Sequence, residues 1–298
     1  MNVSTTTDKP TDSLGNSAGN LLSREALMSR PLAMHWLVCL GLFLSLVWKK
    51  KFFQTASNWI EWVQIADPFF PAFFRSPDVA RISFIGIAVL LLSMLAPFWL
   101  FVVPGETYRR YVRTAITATV LAFATILCVH QASYNDMTFT TIWWTALWAT
   151  WLSSQSGRAD QDKLVCDAAW LSRAILSMIL LGGAVGKLTA EYWSGEALYY
   201  IYFTHRDFWV FNWLRTNLDP TTVRDIATYY SRVVVIVELV GGLILWRMPP
   251  KLAALFAIGT LASIALFSNF LLFSVLSCLI AMAASGFFVK KGVSAVEP

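Results

Sequence analysis

Apolar residues in this chain fall into long unbroken runs separated by short polar stretches. The first run begins near Pro31 and stops at Lys49-Lys50-Lys51, which predicts a membrane helix over about residues 32–48. Further runs predict helices over about 80–103, 111–130, 137–153 and 167–187, and then, after a long interruption, over about 227–246. The last apolar stretch covers about 252–288. As one helix rising 1.5 Å per residue it would be about 55 Å long, against a hydrocarbon core of about 30 Å. It is therefore expected to form two short crossings that turn near Ser268-Asn269, giving about eight crossings in all. Short alternating strands, the mark of a membrane β-barrel, are not seen, and helices are the spanning element that such runs support.

The segments between the runs differ in kind. Residues 1–31 are rich in Ser, Thr, Asn and Asp, and predict a disordered tail. The late start of the first run and the lysines that end it argue against a cleaved signal peptide. Residues 52–78 mix aromatics with prolines and predict an interfacial segment. The connection over about 188–226 is long, charged and aromatic, with Trp193, Tyr199, Tyr200, His205, Arg206, Phe208, Trp209 and Trp213. Long connections in compact domains are often functional, while a belt of amphipathic interfacial helices needs no such role. The expected division is thus a cytoplasmic tail over 1–31, a membrane domain over 32–290 and a short tail over 291–298.

Composition agrees. The chain has 298 residues, of which 57% are hydrophobic and 14% charged, whereas soluble domains carry about 25% charged residues. An all-α, polytopic membrane bundle follows. The formal charge of +5 is spread along the loops without a basic domain, so no nucleic-acid partner is expected, and membrane lipid is. With the N-terminus cytoplasmic, Arg24, Arg30, Arg109, Arg110, Arg158, Lys163, Arg247, Lys251, Lys290 and Lys291 all fall on the cytoplasmic side, as expected for a multi-pass protein of a bacterial inner membrane; Lys49–Lys51 violate the rule. Cys39, Cys128, Cys166 and Cys278 lie far apart with no C-x-x-C pair, and predict buried thiols. No histidine spacing suits a metal, and none is expected.

Two charges stand out against this background. Lys187 closes the apolar run Ile175–Gly186, and Glu238 sits near the middle of the sixth predicted helix. A lysine at a helix end often anchors the helix in the headgroups; a charge deeper in the membrane is by default functional. A midplane carboxylate must be paired, protonated or hydrated, and either bonds a neighbouring helix or pairs with Lys187. Gly182 and Gly186 form a small-xxx-small spacing and Gly241-Gly242 follow Glu238, which predicts close packing of the fifth and sixth helices. Desolvation favours a free amine on the lysine and an ionised glutamate favours the ammonium. His130, Tyr134, Asn135 and Asp136 lie at the outer end of the third predicted helix, on the same side as Lys187 and His205. His205 reads more readily as an interfacial polar contact than as a ligand.

The segment from Gly182 to Tyr200, with Lys187-Leu188, then Glu191, Trp193 and Gly195, then Ala197-Leu198-Tyr199-Tyr200, resembles a block of the HTTM (horizontally transferred transmembrane) domain, the membrane part of vitamin K-dependent gamma-carboxylases and of bacterial relatives. The similarity extends through Val235–Gly242, where that family carries an acidic residue inside a helix. The resemblance implies that Lys187 corresponds to the family's base and Glu238 to its intrahelical acid, both facing an extracytoplasmic cavity. In the carboxylase that lysine deprotonates vitamin K hydroquinone. Trp193, Tyr199, His205 and Asp136 are the residues expected to bind substrate beside the pair. The chain departs from the carboxylase pattern: it has no histidine after His205, it has Asn135-Asp136 where the family has an asparagine–histidine pair, and it lacks the large lumenal domain. Carboxylation of protein glutamates is therefore not expected. What remains is a membrane enzyme acting on a quinone, lipid or peptide with Lys187 as base, its cofactor open, or a non-enzymatic membrane component that binds an apolar ligand.

Overall fold

The computed structural model describes residues 30–48, 78, 137–155, 160–267 and 276–290. The segments expected to cross at 80–103 and 111–130, the interfacial segment at 52–78 apart from residue 78, and Asp136 lie outside the described residues. Among those described, all regular structure is helical: α1 (Arg30–Trp48), α2 (Met137–Ser154), α3 (Gln161–Gly186), α4 (Ala190–Trp193), α5 (Glu196–Leu198), a π-helical turn (Tyr199–Thr204), α6 (Trp209–Asn217), α7 (Pro220–Ile244), α8 (Pro250–Phe267), α9 (Leu276–Ala283) and a closing 3₁₀ turn (Ala284–Phe288). Helices α3, α7 and α8 are long and apolar enough to cross a membrane; Ala33–Leu42 and Leu276–Phe288 are shorter apolar helices.

The expected start of the sixth helix, near residue 227, falls two turns too late. Asp219 caps α7, its carboxylate accepting from the Thr222 amide at 2.9 Å, and Pro220 follows at the first helical position. The polar residues Thr221, Arg224, Asp225 and Thr228 belong to the same helix as the apolar run, so α7 extends beyond the end of α3. Likewise Asp160 caps α3, accepting from the Lys163 amide at 2.9 Å, and starts that helix at Gln161 rather than near 167. Polar caps set these starts, not the onset of apolar sequence.

The final apolar stretch is broken, as its length requires. Helix α8 ends at Phe267, and the chain returns so that Gly286 lies against the Pro250 carbonyl. A Cβ at Gly286 would lie 2.5 Å from that oxygen, so only glycine allows the approach. The turn itself lies outside the described residues.

The main core joins α1, α2, α3, α8 and α9 through Met34, Val38, Leu42, Trp148, Leu176, Leu261, Leu279 and Met282. Polar side chains cross it at intervals. The Trp148 indole donates to Ala168 O at 2.9 Å, Ser172 to Met282 O at 2.7 Å, and the Ser45 and Ser277 hydroxyls share a bond of 2.6 Å. A second, smaller core of Leu198, Tyr202, Phe203, Phe211, Val223 and Ala227 binds the π-helical turn and α6 to the first turns of α7. The outward face of α7 exposes Val233, Ile236, Val240 and Leu243, while Ser231 and Glu238 are buried. Apolar outside and polar inside is the pattern of a helix facing lipid.

Candidate functional site

The two longest helices among the described residues, α3 and α7, meet in a polar seam. Buried or half-buried residues recur along α3 at Arg173, Ser177, Leu180, Ala184 and Lys187, in alternating four- and three-residue steps that keep them on one face. On α7 the matching face carries Ser231, Val235, Glu238, Gly242 and Leu245. The helices run antiparallel, and polar links join them. Arg173 Nη1 donates to Met248 O at 2.9 Å and to Leu245 O at 3.4 Å, a cation closing the C-terminal end of α7. Ser177 Oγ donates to Gly242 O at 2.7 Å and accepts from Trp246 Nε1 at 2.7 Å.

Lys187 and Glu238 close this seam. Lys187 sits at the C-cap of α3, its amide donating to Ala184 O at 3.1 Å. Its stem folds back over the last turn, and Nζ lies 2.6 Å from Glu238 Oε1, 2.5 Å from Oε2 and 3.4 Å from Gly183 O. The side chains are 21% and 7% exposed. An ammonium has three protons to donate, and these three acceptors meet it. Leaving either charge alone in lipid is expensive, and the arrangement found avoids that.

The glycines at this contact are not those the spacing pattern points to. A Cβ added at Gly182 or Gly186 would meet nothing within 4 Å, so both face open space. Gly183 faces the pair instead: a Cβ there would lie 3.2 Å from Glu238 Oε2 and 3.4 Å from Lys187 Nζ. Gly242 fits closely against α3, where a Cβ would meet Leu181 Cγ at 2.7 Å and Ser177 O at 3.2 Å. The correct face is one residue from the small-xxx-small reading, because α3 turns its Ser177–Lys187 stripe, rather than its Gly182–Gly186 stripe, toward α7.

Tyr192, which the sequence does not single out, roofs the pair. It lies on α4, and its ring centroid is 5.9 Å from Lys187 Nζ, within cation–π range. Burial raises the phenol above its ordinary range, and the Glu238 carboxylate adds to the rise, so the hydroxyl stays protonated. Two contacts fix the roof. Ser231 Oγ donates to Tyr192 O, and Thr189 caps α4 by accepting from the Tyr192 amide at 3.3 Å. Gly195 then turns the chain with φ +81°, so tightly on α7 that a Cβ there would collide with the Thr228 backbone.

The other expected site residues are placed elsewhere. Trp193 is exposed and carries Arg232 over its ring at 5.6 Å. Tyr199 carries Arg224 at 5.4 Å, and Arg224 pairs with Glu196 at 3.2 Å. These contacts tie both aromatics to the arginines of α7 rather than to the ion pair. His205 is exposed at the end of the π-helical turn. Asp136, like His130, lies outside the described residues. Cys166 and Cys278 are buried thiols, as expected, while Cys39 is half-buried; Cys128 is outside the described residues. No cluster of three or more His, Cys, Asp or Glu suited to a metal occurs among the described residues. Comparison with protein-family models, with curated proteins and with solved structures finds no match to this chain in any of the three.

Proposed function

We propose that this chain is an HTTM-like, multi-pass membrane protein in which Lys187 and Glu238 form a proton-transfer site beneath an extracytoplasmic aromatic layer. One observation carries the reading: a half-buried lysine paired with a buried glutamate, with short bonds to both carboxylate oxygens, placed at the open end of α3 and roofed by Tyr192. A lysine bonded in this way rests as an ammonium. It acts as a base once its proton moves to Glu238, and the two short bonds supply the path. An apolar acid such as a hydroquinone, entering beneath Tyr192, would then give its proton to the free amine. The topology that goes with this reading has about eight crossings, a cytoplasmic N-terminus and residues 188–226 outside, in a bacterial inner membrane.

A second reading is favoured by the polar seam itself. Arg173, Ser177 and Lys187 bond α7 from one face of α3, and the pair is then one more clamp in a non-enzymatic scaffold. Lys187→Arg separates the two. An arginine keeps charge, length and clamp but never deprotonates at accessible pH. Under the first reading the variant inserts and melts like wild type and loses turnover of an added hydroquinone or the growth phenotype of a deletion strain. Full function in Lys187→Arg leaves the clamp.

A further inference from the structure

A second site lies away from the ion pair, between α1, α8 and α9. These helices enclose a cavity of about 580 Å³, lined on its sides by Leu37, Leu40 and Leu44 of α1 and by Ala262 and Leu266 of α8. Its floor is α9 and the turn after it, from Leu276 to Ala284. Small residues make the space: Gly41, Ala262, Ala265, Ser277, Ala281 and Ala284. A volume of this size is typical of a small-molecule pocket. At 1.5 Å per residue the floor is on the order of 12 Å long, close to the roughly 15 Å depth of one hydrocarbon leaflet.

One charge reaches this apolar space. Arg206, from the loop after the π-helical turn, is the only charged residue of the lining among the described residues. It stands at the end of the groove where α8 finishes, its Nη2 donating to Leu266 O at 3.3 Å. The opposite end, at Ala284, leads toward Pro250, where α8 starts. The guanidinium is held in place from below and behind. Its centre is 5.4 Å from the Phe208 ring and 6.0 Å from the Tyr202 ring, and its own carbonyl accepts from Arg215 Nη2 at 3.0 Å. Its charge is not answered. Among the described residues no carboxylate lies within ion-pair distance of Arg206, and Nη1 is buried with no acceptor. The neighbouring carboxylate, Asp207, is engaged by Asn212 Nδ2 at 2.7 Å. A buried donor without an acceptor is costly, and more so when charged.

An apolar trough one leaflet deep, with an unanswered guanidinium at the interfacial end, has the shape and polarity of an anionic amphiphile in reverse. We infer that this groove binds one acyl chain of an anionic phospholipid, with its phosphodiester held by Arg206. A guanidinium matches phosphate oxygens in a forked geometry, and the bilayer supplies such lipids beside any interfacial arginine. The small residues of the floor let a methylene chain lie flat, where larger side chains would fill the trough. The inference does not depend on Lys187 being a base.

The test uses the purified full-length chain, delipidated in detergent and titrated with phosphatidylglycerol or with phosphatidylcholine of identical acyl chains, with bound lipid counted by native mass spectrometry. Wild type is expected to hold one phosphatidylglycerol about tenfold more tightly than phosphatidylcholine, the size of one charge-assisted contact. Arg206→Gln should abolish that preference while leaving weak binding of both lipids. Ala262→Phe, at an exposed lining position, should reduce binding of both without changing the melting temperature. The inference is overturned by equal affinity for the two lipids in wild type, by Arg206→Gln retaining the preference, or by Ala262→Phe retaining full binding. No retained lipid at all would also overturn it.

Discussion

The Asp162 cluster and the Lys187–Glu238 pair lie toward opposite ends of the bundle, and they differ in exposure and in geometry. At one end Asp162, near the start of α3, accepts from Arg30 of α1 and from Lys290 beyond the 3₁₀ turn, the latter at 2.9 Å. These side chains are 31–59% exposed, and Arg30 also reaches Phe288 O at 3.3 Å. At the other end Glu238 is 7% exposed and has Lys187 for its cation. In water an exposed pair gains little, because solvent screens it and would hydrate each partner equally well alone. In the seam between α3 and α7 there is no such alternative, so each charge is committed to the other. The contrast explains why one cluster can be built from three chain segments with loose geometry and why the other needs a helix end, a glycine and a tyrosine roof.

The largest expected effect breaks the committed pair. Glu238→Ala leaves the Lys187 ammonium half-buried without its partner, and should destabilise the protein by about 3 kcal/mol, read as a drop in melting temperature in detergent. Lys187→Met should do the same, and Lys187→Met with Glu238→Met together should recover much of the loss. A double variant destabilised by the sum of the two single losses would show that the pair contributes nothing beyond its separate side chains. Next in size is the packing that brings the helices together. Gly242→Leu should cost about 1–3 kcal/mol by forcing α7 away from Leu181 and Ser177, whereas Gly182→Ala should be neutral or should stabilise by up to about 1 kcal/mol through helix propensity. Destabilisation by both in equal measure would put the wrong stripe of α3 at the contact.

At the exposed end Asp162→Asn should change stability by less than about 1 kcal/mol, and that change should shrink in high salt. An effect as large as that of Glu238→Ala would erase the contrast. The smallest effect concerns acid. Hydrogen bonds from the Thr221 and Thr222 hydroxyls and the Thr222 amide hold the Asp219 carboxyl well below the usual range. A lowered carboxylate contributes stability that is complete above the unfolded-state value, about 4, and is lost as pH falls from there through the folded-state value. On acidification from about pH 5 to about pH 3, wild type should therefore lose slightly more stability than Asp219→Asn. Nearer neutrality the gap between the two should not change with pH.

Much of this was legible in the chain. Long apolar runs require helices, and the cost of lone charges in lipid requires Lys187 and Glu238 to find partners. The broken last stretch follows from length alone. What the runs could not show is where polar residues continue an apolar helix, as Thr221, Arg224 and Thr228 do in α7, since hydropathy marks the membrane and not the end of the helix. Arg173 was equally hidden. It lies inside the run that forms α3, and its role depends on Leu245 and Met248, more than seventy residues further on. Tyr192 was hidden for a related reason: one tyrosine in an aromatic loop becomes a roof only when Thr189, Ser231 and Gly195 fix the turn beneath it. Gly182 and Gly186 misled because small-residue spacing names a stripe without naming the stripe that faces a neighbour.

The return of Gly286 to Pro250 has a consequence for how the protein is made. Residues 252–288 contain no Lys, Arg, Asp or Glu, so neither half of that segment carries a signal that would orient it independently at the translocon. The flanking residues do: Arg247 and Lys251 before it, Lys290 and Lys291 after it. Like charges on both flanks would therefore orient the two ends of this stretch together, as expected of a closed hairpin beside α1.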